Sequence, residues 1–340
     1  MIRLSDHIAA AGGWLSLEAF MQLALHHPQE GYYSSSIENI GQRGDFSTTP
    51  TLSPILAKAI IAHWKEACSR CGRRLPLLEI GAGSGALAVK ILERLGFWNR
   101  LNTDYVIVES SPRLREFQHL LLGGRAKIYS TMEKALKHCG GKAFIFSNEL
   151  VDAFPARVFE YTEQDWKEVG LVVKNGAVRE ELRPVRQQPL FSHMLEYGSQ
   201  PGQRVEIHDS YARWLTSWLP HWNMGVMTVI DYGDEMERLY YRRPRGSLRG
   251  YKSHQVLTGE ELYRNPGLTD LTCDVNFTDL LELSRNCLGD RVTFMTQRDY
   301  LLPHAENTPQ DAFLTDEYGA GGHFHVLIQE RQRLQPEGFQ

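Results

Sequence analysis

The chain has 340 residues, 42% of them apolar and 23% charged, and carries a formal net charge of −4. This is the composition of a soluble globular protein, long enough for one elaborated domain or two ordinary ones. It excludes binding of a polyanion by bulk charge alone, and no apolar run reaches the length needed to span a membrane.

Met1 to His7 contain one basic residue and an early acid. A secretory signal would show a basic start and a long apolar stretch, and a transit peptide would be rich in arginine. The five cysteines, Cys68, Cys71, Cys139, Cys273 and Cys287, are odd in number and scattered. Both features lead to the expectation of a reducing, cytoplasmic location. Cys68 and Cys71 have metal-ligand spacing, but no second pair follows, and no metal is expected.

Residues 1–75 read as an N-terminal helical and loop region. Ser16 is placed to cap a helix over Leu17 to His26, which ends before Pro28, and a second helix runs from about Pro54 to Arg70. A long loop between them carries aromatics and glycines and includes Arg43-Gly44-Asp45-Phe46. Loops of this length inside compact domains are usually functional, and Asp45 is a candidate site residue.

Residues 76–155 read as the first half of a ligand-binding core. Strands are expected at 76–80, 104–108, 126–129 and 143–147, alternating with helices at 86–95, 112–122 and 131–138. Such alternation makes a mostly parallel, doubly wound α/β sheet. Residues 77–85 read Leu-Leu-Glu-Ile-Gly-Ala-Gly-Ser-Gly: a short buried strand, then a glycine turn at Gly81, Gly83 and Gly85, then a helix N-terminus. Glu109 closes the next strand, where a carboxylate accepts hydrogen bonds from a ribose diol.

The ligand expected from these residues is a nucleoside-bearing cofactor, either S-adenosylmethionine or a nicotinamide dinucleotide. Gly81, Gly83 and Ala86 meet the dinucleotide spacing loosely. The G-x-G-x-G pattern, the later position of Glu109 and the acid Glu79 inside the strand favour S-adenosylmethionine, whose ammonium group Glu79 could face.

Residues 225–233 and 291–330 read as the remainder of the core, with a strand at 225–231 and a closing pair at 291–296 and 323–330. Two insertions interrupt it. Residues 156–224 begin with strands and carry Asn175-Gly176, a strong hairpin signal, before a helix near Ser210 to Trp218. Residues 234–290 hold an apolar helix near Phe277 to Leu283. Insertions near the carboxyl ends of core strands are placed to cover a substrate.

The segment Ser147 to Pro155 follows the fourth strand. Asn148 is a candidate cofactor contact, and Glu149 and Asp152, three apart, would share one face of a helical turn. Asp231, Glu206 and His254 are further candidates. Residues 238–252 carry six basic side chains and no acid, read as a solvated basic loop rather than a surface for nucleic acid.

The chain resembles the MidA-like family of class I S-adenosylmethionine-dependent methyltransferases, which includes methyltransferase assembly factors of mitochondrial respiratory complex I. The resemblance rests on Phe20 to Tyr33, Arg43 to Pro50, Glu79 to Gly85, Glu109 to Arg115, Asn148 to Pro155, Trp166 to Val169, Asp231 to Gly233, Gly246 to Tyr251 with His254, and Pro266 to Phe277, in the same order and rough spacing. Ala82 and Ser84 stand where the family's turn usually has Pro and Arg, and Thr49-Pro50-Thr51 stands where it has Ser-Pro-Glu. The resemblance implies a Rossmann-like fold, S-adenosylmethionine as cofactor and methyl transfer. The acceptor it implies is protein arginine, on a respiratory-complex subunit or another arginine-bearing protein, whose guanidinium Glu149 and Asp152 could clamp and then relieve of a proton. The alternatives are a non-catalytic assembly protein that keeps the fold, and an RNA methyltransferase.

Overall fold

The computed structural model describes residues 2–36, 53–252, 255–289, 291–306 and 308–331. These form two compact units, one from the described residues of 40–150, 215–232 and 284–340, the other from those of 1–39, 151–214 and 233–283.

The first unit is the Rossmann-like core. Its sheet runs in the order Val292–Thr296, Phe324–Arg331, Met224–Asp234, Lys142–Asn148, Leu77–Ile80, Tyr105–Val108, Lys127–Tyr129. The last five strands are parallel neighbours, and Phe324–Arg331 returns antiparallel against Met224–Asp234. The central strands are buried along their whole length, as expected when both faces of a parallel sheet are covered. Helices Ile55–Arg70, Ala86–Arg94, Pro112–Leu122 and Met132–His138 belong to this unit. Ile60, Trp64, Leu77, Ile91, Ile107, Phe144, Phe146 and Ile230 meet in one apolar core. Pro112–Leu122 starts on Ser111, whose hydroxyl accepts the Leu114 N–H, and stops at left-handed Gly123. The helices and strands expected over 76–147 are all present, within a residue of their expected ends.

The second unit is built on an antiparallel sheet. Arg157–Tyr161, Trp166–Lys174 and Ala177–Pro184 pair in sequence, with Arg204–Ile207 on one flank and Leu15–Ser16 against Trp166–Lys174 on the other. The turn at Asn175 and Gly176 has φ of 53° and 74°, the left-handed pair that the hairpin requires. Ser16 caps Leu17–His26 as expected, accepting the Ala19 N–H. A small sheet of Arg249–Lys252, Gln255–Leu257 and Asp270–Thr272 was not expected from the sequence.

Arg157 is the charged centre of the larger sheet. Its guanidinium grips both Glu168 oxygens at 2.9 Å, reaches Asp209 Oδ2 at 3.1 Å and the Gln187 carbonyl at 2.8 Å, and lies 4.8 Å from the centre of the Phe159 ring. Removing one partner of a buried pair strands the other charges away from water. Arg157→Ala should therefore cost about 3–5 kcal/mol in denaturant unfolding. Arg179→Ala, which removes an exposed partner of Glu260, should cost less than about 1 kcal/mol. Equal effects of the two would contradict the role given to Arg157.

Candidate active site

The parallel strands of the core come to one edge. Ile80 lies opposite both Val108 and Ser147, and Asn148 lies opposite Ile230. Gly81 follows Ile80, Glu109 follows Val108, Glu149 follows Asn148, and Asp231 follows Ile230 within a strand that runs on to Asp234. From strand Leu77–Ile80 the chain moves outward on one side, then returns on the other at Lys142–Asn148. The carboxyl edge at such a reversal is where doubly wound sheets bind ligands.

Gly81, Gly83 and Gly85 all have left-handed backbone, with φ of 68°, 52° and 72°. The turn is closed by two bonds, Gly81 N–H to the Val108 carbonyl and Gly85 N–H to the Ala82 carbonyl, each 2.8 Å. A Cβ on Gly81 would run into Leu150, whereas one on Gly83 would meet nothing within 4 Å among the described residues. Among these residues the turn is thus backed by protein at Gly81 and open over Gly83.

Both acids beside the turn are buried. Glu79 accepts the Tyr105 hydroxyl at 2.6 Å. Burial pushes its carboxyl up to about 7; the Tyr105 bond opposes this and the neighbouring Glu109 adds to it. Glu109 accepts the Ser111 N–H at 3.0 Å and the Gln118 side-chain amide at 3.4 Å. Burial raises its pKa too, opposed in turn by the Ser111 backbone, Gln118, the Gly83 backbone and Arg115. These residues fit S-adenosylmethionine. The turn leaves open space for close backbone approach, one acid suits a ribose diol, and the other is ready to ionise beside an ammonium group.

On the far side of the turn, the Asn148 side-chain amide donates to Glu149 Oε1 at 3.0 Å. Asn148 Oδ1 is buried without a partner among the described residues. Asp231 is buried and accepts the Leu150 N–H at 3.1 Å and the Tyr232 N–H at 2.9 Å. Leu150 is the residue that backs Gly81, so Asp231 fixes the wall behind the glycine turn.

The expectation that Glu149 and Asp152 share a helical face is not met. Glu149 has φ of 54°, a left-handed residue that cannot sit within a right-handed turn, and its N–H goes to the Ile230 carbonyl. A 3-10 turn, Val151–Ala153, begins only after it. The compact units also change between Leu150 and Val151, so the two acids belong to different ones.

Asp152 lies in the second unit. Its Oδ2 accepts the Thr272 hydroxyl at 2.8 Å, and its carbonyl accepts the Cys273 N–H at 3.0 Å. Nearby, Tyr33 donates to Asp270 Oδ1 at 3.3 Å. Burial raises the Tyr33 phenol well above its ordinary value, and the charges of Asp270 and Asp152 reinforce this. Glu206 turns inward instead of toward a substrate: it is buried and accepts the Ser247 N–H, the Ser247 hydroxyl and the Leu248 N–H. Asp45 and His254 lie outside the described residues. In the basic segment, Arg242 pairs with Asp234, and Arg243 and Arg249 pair with Asp274, so half of its six cations are matched within the fold. Tyr105, Ser111, Gln118 and Asp270 were not singled out from the sequence. The only signal for Gln118 was a polar residue within the buried row Leu114, Gln118, Leu122.

Residues 55–295 match a family described as "Putative S-adenosyl-L-methionine-dependent methyltransferase". The chain belongs to this family. The dinucleotide alternative therefore falls, and S-adenosylmethionine is the cofactor of this methyltransferase. The chain is 28% identical over 333 residues to the protein arginine methyltransferase NDUFAF7 of Danio rerio, covering 87% of this chain and 75% of that protein. The Xenopus tropicalis protein of the same name is 26% identical, over 85% of this chain and 71% of the relative. A methyl transferase candidate from Burkholderia thailandensis, crystallised with S-adenosyl-homocysteine, superposes with a TM-score of 0.82 at 25% identity, covering 96% of this chain and 90% of that one. The NDUFAF7 relatives are named as mitochondrial, which overturns the cytoplasmic placement expected from the N-terminal residues and the cysteines. Scattered thiols indicate a reducing compartment without telling one such compartment from another.

The raised pKa of Glu79 has a consequence for stability. A buried acid whose folded pKa lies above its unfolded value favours the fold while protonated. Its contribution is complete below about pH 4.5 and is lost as pH rises toward about 7. In ligand-free protein, Glu79→Gln should therefore match wild type near pH 4.5 and be the more stable form at pH 8. The gap is on the order of 3 kcal/mol. Parallel melting curves across that range would contradict the assignment.

Proposed function

We propose that this methyltransferase acts on the guanidinium of arginine in a protein substrate. The observation that carries the reading is the run of relatives, each named a protein arginine methyltransferase, which this chain matches over most of its length. The site chemistry supports it. Glu79, Gly81, Gly83, Gly85, Glu109 and Asn148 are assigned to the cofactor. When bound, S-adenosylmethionine supplies an electrophilic methyl carbon. An arginine nitrogen then needs positioning, and it must lose one proton for each methyl it gains.

Asp152 is assigned to hold the guanidinium; its partner Thr272 shares strand Asp270–Thr272 with Asp270, which accepts from Tyr33. Paired acceptors suit the guanidinium fork, and carboxylates bind it with charge-assisted bonds. Glu149 and Asp45 are assigned as the other acids that can hold or take a proton. The left-handed backbone of Glu149 is the kind of strain that functional sites retain. A respiratory-complex subunit is the acceptor class that follows from the family resemblance.

The test is transfer of labelled methyl onto arginine-bearing peptides, with recovery of methylarginine after hydrolysis. Asp152→Asn and Glu149→Gln should keep cofactor affinity within about two-fold of wild type and lower transfer by about 100-fold or more. Full activity in both variants would move proton transfer elsewhere. Methyl recovered only on lysine or on RNA would overturn the acceptor.

A further inference from the structure

We propose that Gln118 is a positioning residue for the cofactor's ribose, acting through Glu109 and the glycine turn. The proposal rests on the assignment of Glu109 to the ribose. Gln118 sits in the middle of the buried row of helix Pro112–Leu122, between Leu114 and Leu122, where packing alone calls for an apolar side chain. Its amide nitrogen donates to the Gly83 carbonyl at 2.9 Å and to Glu109 Oε2 at 3.4 Å. One side chain thus joins the open glycine to the acid at the tip of the neighbouring strand.

Its amide oxygen is buried with no hydrogen-bond partner among the described residues. An unpaired buried acceptor is a standing cost to folding, so an apolar residue of the same length would suit the helix better. The nitrogen accounts for the amide being there. The other Glu109 oxygen is held by the Ser111 N–H, which belongs to the same helix cap. Gln118 therefore fixes the rotation of the carboxylate and keeps it from turning away from the turn. The charged or titratable groups facing Glu109 are Arg115 on the same helix and Glu79 with its partner Tyr105 on the adjoining strands. Of these, only Arg115 favours the ionised form of Glu109, so the Gln118 donor matters for keeping the carboxylate charged.

The experiment titrates S-adenosylhomocysteine and its 2′-deoxyribose analogue into wild type, Gln118→Met, Gln118→Glu and Glu109→Gln at pH 6 and pH 8, beside thermal melts. Gln118→Met should melt at the wild-type temperature or higher, yet bind S-adenosylhomocysteine roughly 10-fold more weakly. The 2′-deoxy analogue should lose less than about three-fold, because the bond that Gln118 orients is absent from it. The loss in Gln118→Met should grow as pH falls from 8 to 6, since Glu109 would protonate more readily. Gln118→Glu keeps the shape but places a like charge against Glu109, and its loss should shrink over the same pH change. A Gln118→Met variant that binds as wild type, or loses equally for both ligands, would overturn the proposal. Wild-type affinity in Glu109→Gln would overturn the ribose assignment itself, and the proposal with it.

Discussion

Two carboxylates buried at the ends of adjacent parallel strands set the terms for the rest of this molecule. Glu79 and Glu109 sit in the least favourable place for negative charge: burial raises the pKa of both, and the Glu109 charge adds to the cost of ionising Glu79. The surrounding structure offsets that cost with specific donors. Tyr105 serves Glu79, while the cap of helix Pro112–Leu122 and Gln118 serve Glu109. Gln118 also holds the Gly83 carbonyl, so the helix, the acid and the glycine turn form one unit. Packing alone would place apolar residues at 79, 109 and 118. The contacts proposed to the cofactor account for acids and an amide standing there.

A second constraint lies one strand over. Asp231 takes two backbone N–H groups and thereby holds Leu150 against Gly81, while Glu149 is forced into a left-handed conformation between them. A non-glycine residue in that region costs on the order of 1–2 kcal/mol, which the bonds to Ile230 and Asp231 offset. In the glycine turn, Ala82 packs against the apolar core, and its carbonyl accepts the Gly85 N–H.

Much of the core could be read from the chain, because its strands are short apolar runs and its helices carry caps and periodic apolar faces. Ser111 and Pro112 before Leu114, and Gly123 after Leu122, mark a helix without any tertiary information. The Asn175-Gly176 hairpin was legible for the same local reason. The pairing of Leu15–Ser16 with Trp166–Lys174 was not, since two residues carry no period and the partner is distant in sequence. Strand Arg204–Ile207 and the helices between 297 and 315 were missed for want of comparable signals. In the site, glycines and acids at strand ends stood out by residue type. The left-handed Glu149 did not, because nothing in Asn148-Glu149-Leu150 distinguishes it from the start of a helix. Gln118 was hidden as one polar letter in an otherwise ordinary amphipathic helix.

The central claim is that the open space over Gly83 is filled by the cofactor. It is tested most directly by calorimetric titration of S-adenosylhomocysteine into Gly83→Val, with Gly123→Val as the control. The two glycines have nearly equal φ, 52° and 55°, and a Cβ built on either meets nothing within 4 Å among the described residues. The strain of a side chain at positive φ is therefore similar at both, and loss of binding in Gly83→Val alone points to the ligand. Gly123→Val should bind with wild-type affinity and Gly83→Val should show no measurable binding, with both variants folded. Equal affinity in the two would contradict the claim.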